Sequence, residues 1–279
     1  MSASATNPDP PSSSGGGGPV AFVPLEANPE LMTSLLHKLG LSRALQVHDV
    51  YSITEPELLA FVPRPALALL LVFPVSAAYE SARMAEDAGV DEYAGRGPGE
   101  PVLWWRQTIR NACGLMGLLH AVANGPARGF VEPNTTLSTL LSDSVPLPPR
   151  ERSALLERIP ALAAAHHEAA SRGQTAAPDA RDDVDLHYVC FVKTLDGEQA
   201  GGGNSGSGSS SSGNDGGAKG AGTLWELDGR RKGPIARGRL EADEDVLSEK
   251  ALLWGPLKFL ERGGGDMRFS CVALAGALD

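Results

Sequence analysis

The strongest restriction on the fold of this chain comes from a run of eight residues, 66–73 (ALALLLVF), because a strand formed from it is apolar on both faces. Such a strand has to be covered on both sides, so it belongs in the centre of a sheet that packs between layers. The apolar stretch that contains it, 65–79, is fifteen residues long and holds Pro74, which makes it too short and too interrupted to cross a bilayer. The run therefore predicts a layered domain rather than a membrane span.

Capping residues and hydrophobic periodicity predict helices and strands around this central strand. Asn28 and Pro29 begin a helix whose apolar residues share one face, and Gly40 ends it. The strongest helix covers 111–124, where four apolar side chains recur at i, i+3, i+4 and i+7. Further helices are predicted at 77–87, 150–158 and 245–261, the last interrupted at 255–256, and further strands at 45–50, 184–193, 223–228 and 267–278.

Two low-complexity segments set the boundaries of the folded part. Residues 1–19 are mostly Ser, Gly, Pro and Ala, which predicts a disordered tail. Residues 201–222 hold ten Gly and six Ser, and we interpret about 197–222 as an insertion at a hairpin tip rather than a linker between domains. Residues 20–279 are therefore predicted to form a single domain. Within it, residues 159–183 are predicted to be a long connection without regular structure.

The charge of the chain argues against two classes of partner. Lys and Arg number 24 against 34 Asp and Glu, a net charge of −10. Nucleic acids and anionic membranes attract basic surfaces, so neither is expected, whereas a basic protein or peptide is compatible. The N-terminal residues do not have the pattern of a secretory signal, and three cysteines are too few for a disulfide framework. We therefore expect a cytoplasmic protein, with the nucleus as a further compartment.

Of the three cysteines, one has a position that favours chemistry. Cys190 and Cys271 lie in strand patterns with apolar neighbours, which is typical of buried structural cysteines. Cys113 lies near the start of the strongest predicted helix, where unpaired N–H groups and the helix dipole favour a thiolate. Gly114 beside it leaves room for a substrate backbone. Position alone leaves a nucleophile and a core cysteine open for Cys113.

A nucleophilic thiol needs a base, and the base needs a group that orients it. His187 lies on a predicted strand, opposite its most regular apolar residues, where a core histidine and a catalytic one are both open. Asp228 ends another strand and is either a turn residue or the orienting carboxylate. Asp185 is the alternative, because it lies two residues from His187 on the same strand face, although side chains spaced in this way are about 7 Å apart and do not necessarily meet. His166 and His167 are expected to be solvated.

Residues 103–124 (LWWRQTIRNACGLMGLLHAVAN) resemble the nucleophile segment of the ubiquitin C-terminal hydrolases, a family of cysteine deubiquitinases. Further segments resemble the family in the same order along the chain: 24–30, 68–74, 185–192, 224–230 and 268–274. The resemblance implies an α/β (α+β) fold of the papain-like cysteine peptidase type, with an antiparallel central sheet flanked by helices and a knotted backbone. It implies a short, single-domain type of the family.

The same resemblance implies the roles of four residues. Cys113 corresponds to the nucleophile, His187 to the general base and acid, and Asp228 to the group that orients the imidazole. Gln107 corresponds to the side chain that donates a hydrogen bond to the oxyanion. The implied reaction is the removal of small adducts or peptides from the C-terminal glycine of ubiquitin through a thioester, without a cofactor or a metal. Residues 159–183 correspond to the crossover loop that limits the size of the leaving group.

Two alternatives to this function remain. In the first, the chain is a non-catalytic protein that binds and stabilises free ubiquitin, with affinity for ubiquitin but no turnover. A hydrolase for a ubiquitin-like modifier differs in contacts remote from the four site residues. The expected partner of this chain is ubiquitin, or one of these modifiers, and the chain is expected to be a monomer.

Overall fold

The computed structural model of the chain describes residues 21–174, 185–201, 220–263, 266 and 268–278. The predicted tail, the middle of the predicted insertion and part of the predicted connection lie outside these residues. The described strands are β1 (Leu45–Asp49), β2 (Ala68–Pro74), β3 (Leu186–Leu195), β4 (Gly222–Leu227), β5 (Ile235–Leu240) and β6 (Ser270–Gly276). They form one sheet in the order β1-β6-β2-β3-β4-β5, and every neighbouring pair is antiparallel.

The central position predicted for the apolar run is confirmed. β2 pairs with β3 on one side and with β6 on the other, and all seven of its residues are buried. Leu70 belongs to one hydrophobic core and Leu71, its neighbour, to the other. The sheet therefore separates two cores, each of which is closed by helices.

The helices divide between the two faces of the sheet. They are α1 (Pro29–Leu39), α2 (Pro56–Leu59), α3 (Ala77–Ala88), α4 (Cys113–Ala123), α5 (Thr136–Ser144), α6 (Pro149–Leu156), α7 (Pro160–Ala170), α8 (Glu249–Trp254) and α9 (Leu257–Arg262). Helices α1 and α4–α7 pack into one core, whereas α3, α8 and α9 pack into the other. None of the helices in the described part of the chain is long and apolar enough to cross a membrane.

The capping signals of α1 act as predicted. The Asn28 side chain accepts hydrogen bonds from the N–H groups of Glu30 (3.0 Å) and Leu31 (3.2 Å). Gly40 ends the helix in the left-handed region, at a φ of 115°, which glycine adopts without strain. The interruption at 255–256 is also present, because it separates α8 from α9.

The prediction that 159–183 lacks regular structure is wrong for its first half. Pro160 begins helix α7, and alanine, the strongest helix former, dominates the rest of that helix. Leu162, Ala165 and Ala169 are buried in the core that α1 shares with α7. Packing against α1 therefore turns an alanine-rich connection into a helix. Helix α5 and the partly exposed edge strand β5 were not predicted at all.

The hairpin predicted around the insertion is present. β3 and β4 pair from Cys190 opposite Leu227 to Leu195 opposite Gly222. Residues 202–219 lie outside the described part of the chain. Because the pairing shows no register shift, the insertion leaves the strand that precedes Asp228 in place.

Candidate active site

Cys113 is the first residue of α4, and its side chain is half-buried. No side chain caps this helix at Ala112, so the first backbone N–H groups of α4 lack that kind of partner. Asn111 adopts a left-handed backbone conformation with a φ of 58°, which turns the chain into the helix. The thiol therefore lies at the positive end of the helix dipole.

His187 on β3 links the thiol to a buried carboxylate. The Cys113 side chain lies close enough to His187 to interact with it and to raise the pKa of that histidine. Nε2 of His187 lies 2.7 Å from Oδ1 of Asp228. Because Nε2 faces the carboxylate, Nδ1 is the ring nitrogen that faces the thiol. The ring of Phe73 packs edge-on against the imidazole, with 5.8 Å between the ring centroids.

Asp228 follows the last residue of β4 and is almost fully buried. Besides His187, its Oδ1 accepts a hydrogen bond from the backbone N–H of Arg230 at 2.8 Å. Its Oδ2 accepts one from the hydroxyl of Tyr79 at 3.1 Å. Its backbone carbonyl accepts a further one from Nε1 of Trp104 at 3.1 Å. The carboxylate is thus held as an anion in a place that excludes water.

The two buried groups shift each other's pKa in opposite directions. Burial alone would lower the pKa of His187, but Asp228 and Cys113 outweigh it and raise that pKa to about 9. Burial alone would raise the pKa of Asp228, but His187 and the other donors lower it to about 2. The pair is therefore an imidazolium and a carboxylate at neutral pH.

Gln107 lies against the turn that follows Asp228. Its backbone N–H donates to the carbonyl of Gly229 at 2.8 Å, and its Nε2 donates to the carbonyl of Ile109 at 3.2 Å. A Cβ on Gly229 would come within 2.9 Å of the Gln107 Cβ, so only glycine permits this contact. The side-chain amide is thereby directed toward the loop that leads into Cys113.

Helix α4 also holds the extended segment 103–107, which ends at Gln107. The Asn124 side chain accepts a hydrogen bond from the N–H of Leu103 at 2.6 Å and donates one to the carbonyl of Leu103 at 2.9 Å. Nε2 of His120 accepts a hydrogen bond from the N–H of Trp105 at 3.1 Å. Burial lowers the pKa of His120 to about 4, so it is a neutral acceptor. His120 is seven residues after Cys113, the spacing of one helix face, which is the only signal in the sequence for this role.

Helix α6 holds the same segment from the opposite side. The Arg152 guanidinium is fully buried, pairs with Glu100, and donates to the carbonyl of Trp104 at 3.3 Å. The hydroxyl of Ser153 donates to the carbonyl of Arg106 at 2.6 Å. Sequence reasoning missed these residues, because a charged residue in a helix is usually exposed to solvent.

The structure excludes one alternative, and two expectations about neighbouring residues are wrong. Asp185 does not orient His187; it is largely exposed and pairs with Arg268 at 2.6 Å. His166 is buried rather than solvated, because its ring stacks on Phe22 at 4.7 Å. Gly114 leaves no room for a substrate, because a Cβ there would lie 3.1 Å from the Cβ of Leu25.

The structure thus brings Cys113, His187 and Asp228 into one chain of contacts and places Gln107 beside the Asp228 turn. A thiol hydrogen-bonded to an oriented imidazole can attack a carbonyl carbon and return a proton to a leaving group. Among the described residues, no group of three or more His, Cys, Asp or Glu side chains is placed to hold a metal ion.

Comparison with known proteins gives the family. Residues 22–253 match the family described as ubiquitin carboxyl-terminal hydrolase, family 1. The chain is 34% identical over 254 residues to ubiquitin carboxyl-terminal hydrolase isozyme L1 of Rattus norvegicus and 33% identical over 254 residues to that of Homo sapiens. Each alignment covers 91% of this chain and 98% of the relative.

The fold is similar to that of a solved structure. The crystal structure of the Trichinella spiralis UCH37 catalytic domain bound to ubiquitin vinyl methyl ester has a TM-score of 0.63 and 19% sequence identity. The match covers 92% of this chain and 96% of that chain. The family match extends over most of the chain, and the isozyme L1 relatives are matched over nearly their whole length. This chain therefore belongs to the ubiquitin carboxyl-terminal hydrolase family 1, a family of cysteine peptidases.

Proposed function

We propose that this protein hydrolyses bonds to the C-terminal glycine of ubiquitin, with Cys113 as its nucleophile. The observation that carries the proposal is the chain of contacts from Cys113 through His187 to the buried Asp228. The names of the sequence relatives, and the ubiquitin derivative bound to the UCH37 catalytic domain, support ubiquitin as the substrate.

The reaction has two stages. In the first, the Cys113 thiolate attacks the carbonyl carbon of the terminal glycine and forms a C–S bond. The His187 imidazolium gives its proton to the leaving amine or thiol, whose bond to the carbonyl breaks. In the second stage, His187 accepts a proton from water, the resulting hydroxide attacks the thioester, and Cys113 leaves as a thiolate. Asp228 keeps the imidazole ring oriented through both stages.

Gln107 and the start of α4 stabilise the oxyanion in each stage. One N–H of the Gln107 amide donates to Ile109, which leaves the second for the substrate oxygen. The backbone N–H of Cys113 is the other donor, since the helix has no side-chain cap at that end. Two neutral donors of this kind bind a developing negative charge without reorganisation.

We further propose that the connection between α7 and β3 restricts the leaving group to small adducts and short peptides. The connection runs from 171 to 185 rather than from 159, because α7 occupies the first part of the predicted loop. Its N-terminal end is held where the N–H of Gln174 donates to Oε2 of Glu26 at 2.9 Å. Its other end enters the strand that carries His187. The residues between these ends lie outside the described part of the chain, and their small number limits the opening that the connection can enclose.

The test of the reaction uses ubiquitin that carries a thiol-reactive group at its C-terminus. Intact mass spectrometry should find one covalent ubiquitin on the wild-type protein and none on Cys113→Ala. Cys271→Ala is the matched control, since Cys271 is buried in β6, and it should react as the wild type does. An adduct that persists in Cys113→Ala would refute the assignment of the nucleophile.

Failure of the wild-type protein to form an adduct would favour one of the alternatives. Binding of ubiquitin without an adduct points to a protein that stabilises free ubiquitin. Absence of binding points to a ubiquitin-like modifier as the substrate. Isothermal titration with unmodified ubiquitin separates these two outcomes.

The restriction on the leaving group has its own test. About ten Gly and Ser residues inserted within 175–184 lengthen the connection, and the same insertion within 202–219 is the matched control. The first variant should gain activity on ubiquitin with a folded protein fused to its C-terminus, and the control should not. Equal activity of both variants on that substrate would contradict the restriction.

A further inference from the structure

Helix α3 holds the turn that carries Asp228. The Ser76 side chain caps the helix by accepting the N–H of Tyr79 at 3.1 Å, which places Tyr79 in the first turn. Later on the same helix, Asp87 pairs with Arg231 at 2.7 Å, three residues after Asp228. The first turn and the last turn of α3 therefore both contact the segment 228–231.

Within this arrangement, the Tyr79 hydroxyl reaches the carboxylate itself. Oδ1 of Asp228 accepts hydrogen bonds from Nε2 of His187 and from the backbone N–H of Arg230. Oδ2 accepts one from the Tyr79 hydroxyl at 3.1 Å. Both Tyr79 and Asp228 are almost fully buried. Loss of the hydroxyl would leave one carboxylate oxygen without this donor in a site that water does not reach.

The tyrosine ring cannot move far from this position. It packs edge-on against Phe73, with 4.7 Å between the centroids, and at a tilt of 32° against Phe259, with 5.8 Å. Burial, followed by the nearby carboxylates of Asp228 and Glu226, raises the pKa of Tyr79 well above its usual range. The hydroxyl therefore remains a proton donor across the pH range of an enzyme assay.

We propose that Tyr79 is a positioning residue, whose hydroxyl fixes the rotation of the Asp228 carboxylate so that Oδ1 faces His187. The role rests on the proposed function, in which Asp228 orients the imidazole. Four other charged or titratable groups face this region: Arg83 from α3, Glu226 from β4, Arg231 from the turn and His120 from α4. The hydrogen bonds that these four side chains form in the described structure go to other residues, whereas the tyrosine donates to the carboxylate itself.

The experiment compares Tyr79→Phe with Phe259→Leu. Both variants alter the same aromatic cluster, but only the first removes a hydrogen bond to Asp228. Thermal unfolding measured by circular dichroism establishes that each variant is folded. The first readout is the pH dependence of Cys113 alkylation by iodoacetamide, mapped by mass spectrometry, which requires no ubiquitin. The second readout is kcat and KM on ubiquitin with a fluorogenic amide at its C-terminus.

Tyr79→Phe should move the midpoint of Cys113 alkylation to higher pH by about one unit, because a carboxylate that is free to rotate holds Oδ1 less well against Nε2 of His187 and stabilises the imidazolium less. It should lower kcat by about tenfold, the effect of losing one charge-assisted hydrogen bond, and leave KM unchanged. Phe259→Leu should lower the unfolding temperature without moving the midpoint.

The remaining outcomes show which proposal fails, the positioning role of Tyr79 or ubiquitin as the substrate. A midpoint for Tyr79→Phe equal to that of the wild type, or an equal shift in Phe259→Leu, overturns the positioning role. If the wild-type protein does not act on ubiquitin but the midpoint moves in Tyr79→Phe alone, the positioning role stands and the proposed substrate fails.

Discussion

Nε2 of His187 and Oδ1 of Asp228 lie 2.7 Å apart, although the two residues are separated by 41 positions in the chain. Both side chains are buried, so each charge is stabilised mainly by the other. The strand pairing of β3 and β4 and the turn after β4 create this contact. The pH dependence of the protein should follow from it.

The activity should extend to alkaline pH. Leaving-group departure needs a protonated His187, whose pKa of about 9 implies that kcat/KM falls only as the pH rises through about 9. In Asp228→Asn the pH at which kcat/KM falls should move down toward the ordinary histidine value of 6.5, and kcat should fall by up to about 10⁴-fold. Asp185→Asn is the control, because Asp185 pairs with Arg268 instead. If the pH at which kcat/KM falls does not move in Asp228→Asn, the assignment of Asp228 as the partner of His187 is contradicted.

The same pair should contribute a pH-dependent part of the stability. The raised pKa of His187 stabilises the fold fully below 6.5, and this contribution is lost as the pH rises through about 9. The lowered pKa of Asp228 stabilises the fold above 3.8, and this contribution is lost as the pH falls through about 2. Urea denaturation should therefore find a larger difference in unfolding free energy between the wild type and Asp228→Asn at about pH 6 than at about pH 10. Equal differences would argue against a charged pair.

Gln107 should affect the rate more than substrate binding. Gln107→Ala should lower kcat by about 10²- to 10³-fold and leave KM nearly unchanged. The reason is that the oxyanion forms in the transition state and is absent from the bound substrate. Thr108→Ala provides the comparison, since Thr108 is exposed and contacts Glu157 at 2.7 Å on the surface. Steady-state kinetics on the fluorogenic ubiquitin amide measure both. A rise in KM without a fall in kcat would assign Gln107 to binding instead.

His120 should be a stability residue. His120→Leu leaves the buried N–H of Trp105 without its acceptor, which should cost about 1–3 kcal/mol of unfolding free energy. His48→Leu should cost less than about 1 kcal/mol, because His48 is only half-buried and contacts the carbonyl of Gly276 near the end of β6. Denaturant titration of both variants measures the difference. Similar costs for the two would contradict the role given to His120.

The buried pair of Arg152 and Glu100 should be costly to break from one side. Arg152→Met leaves the Glu100 carboxylate buried and unpaired, and should destabilise the fold by about 3–5 kcal/mol. Arg152→Met combined with Glu100→Leu should cost less than the sum of the single variants. The exposed pair of Arg239 and Asp196 is the control, and Arg239→Met should change stability by about 1 kcal/mol or less. Additive costs in the buried pair would argue against this account.

Local patterns predicted much of the framework. The two-sided apolar run became β2, the Asn28 cap became the start of α1, and the glycine–proline pair at 255–256 separated α8 from α9. These features depend on residues within a few positions of one another, so the local sequence is sufficient to predict them. Helix α7 was missed because its stability depends on packing against α1, about 130 residues away in the sequence, where Lys38 also pairs with Glu168.

For the site, the amino-acid sequence identified the candidate residues through the resemblance of 103–124 and the other segments to a known family. Position alone left Asp185 and Asp228 both open as partners of His187, and a core role open for Cys113, whereas the resemblance selected Asp228 and a nucleophilic Cys113. The folded chain separates the two carboxylates, because Asp185 lies at the surface in a pair with Arg268 whereas Asp228 is buried against the imidazole. Tyr79 and Arg152 also acquire their contacts only on folding, because hydrogen bonds between distant residues depend on the arrangement of whole strands and helices rather than on local spacing.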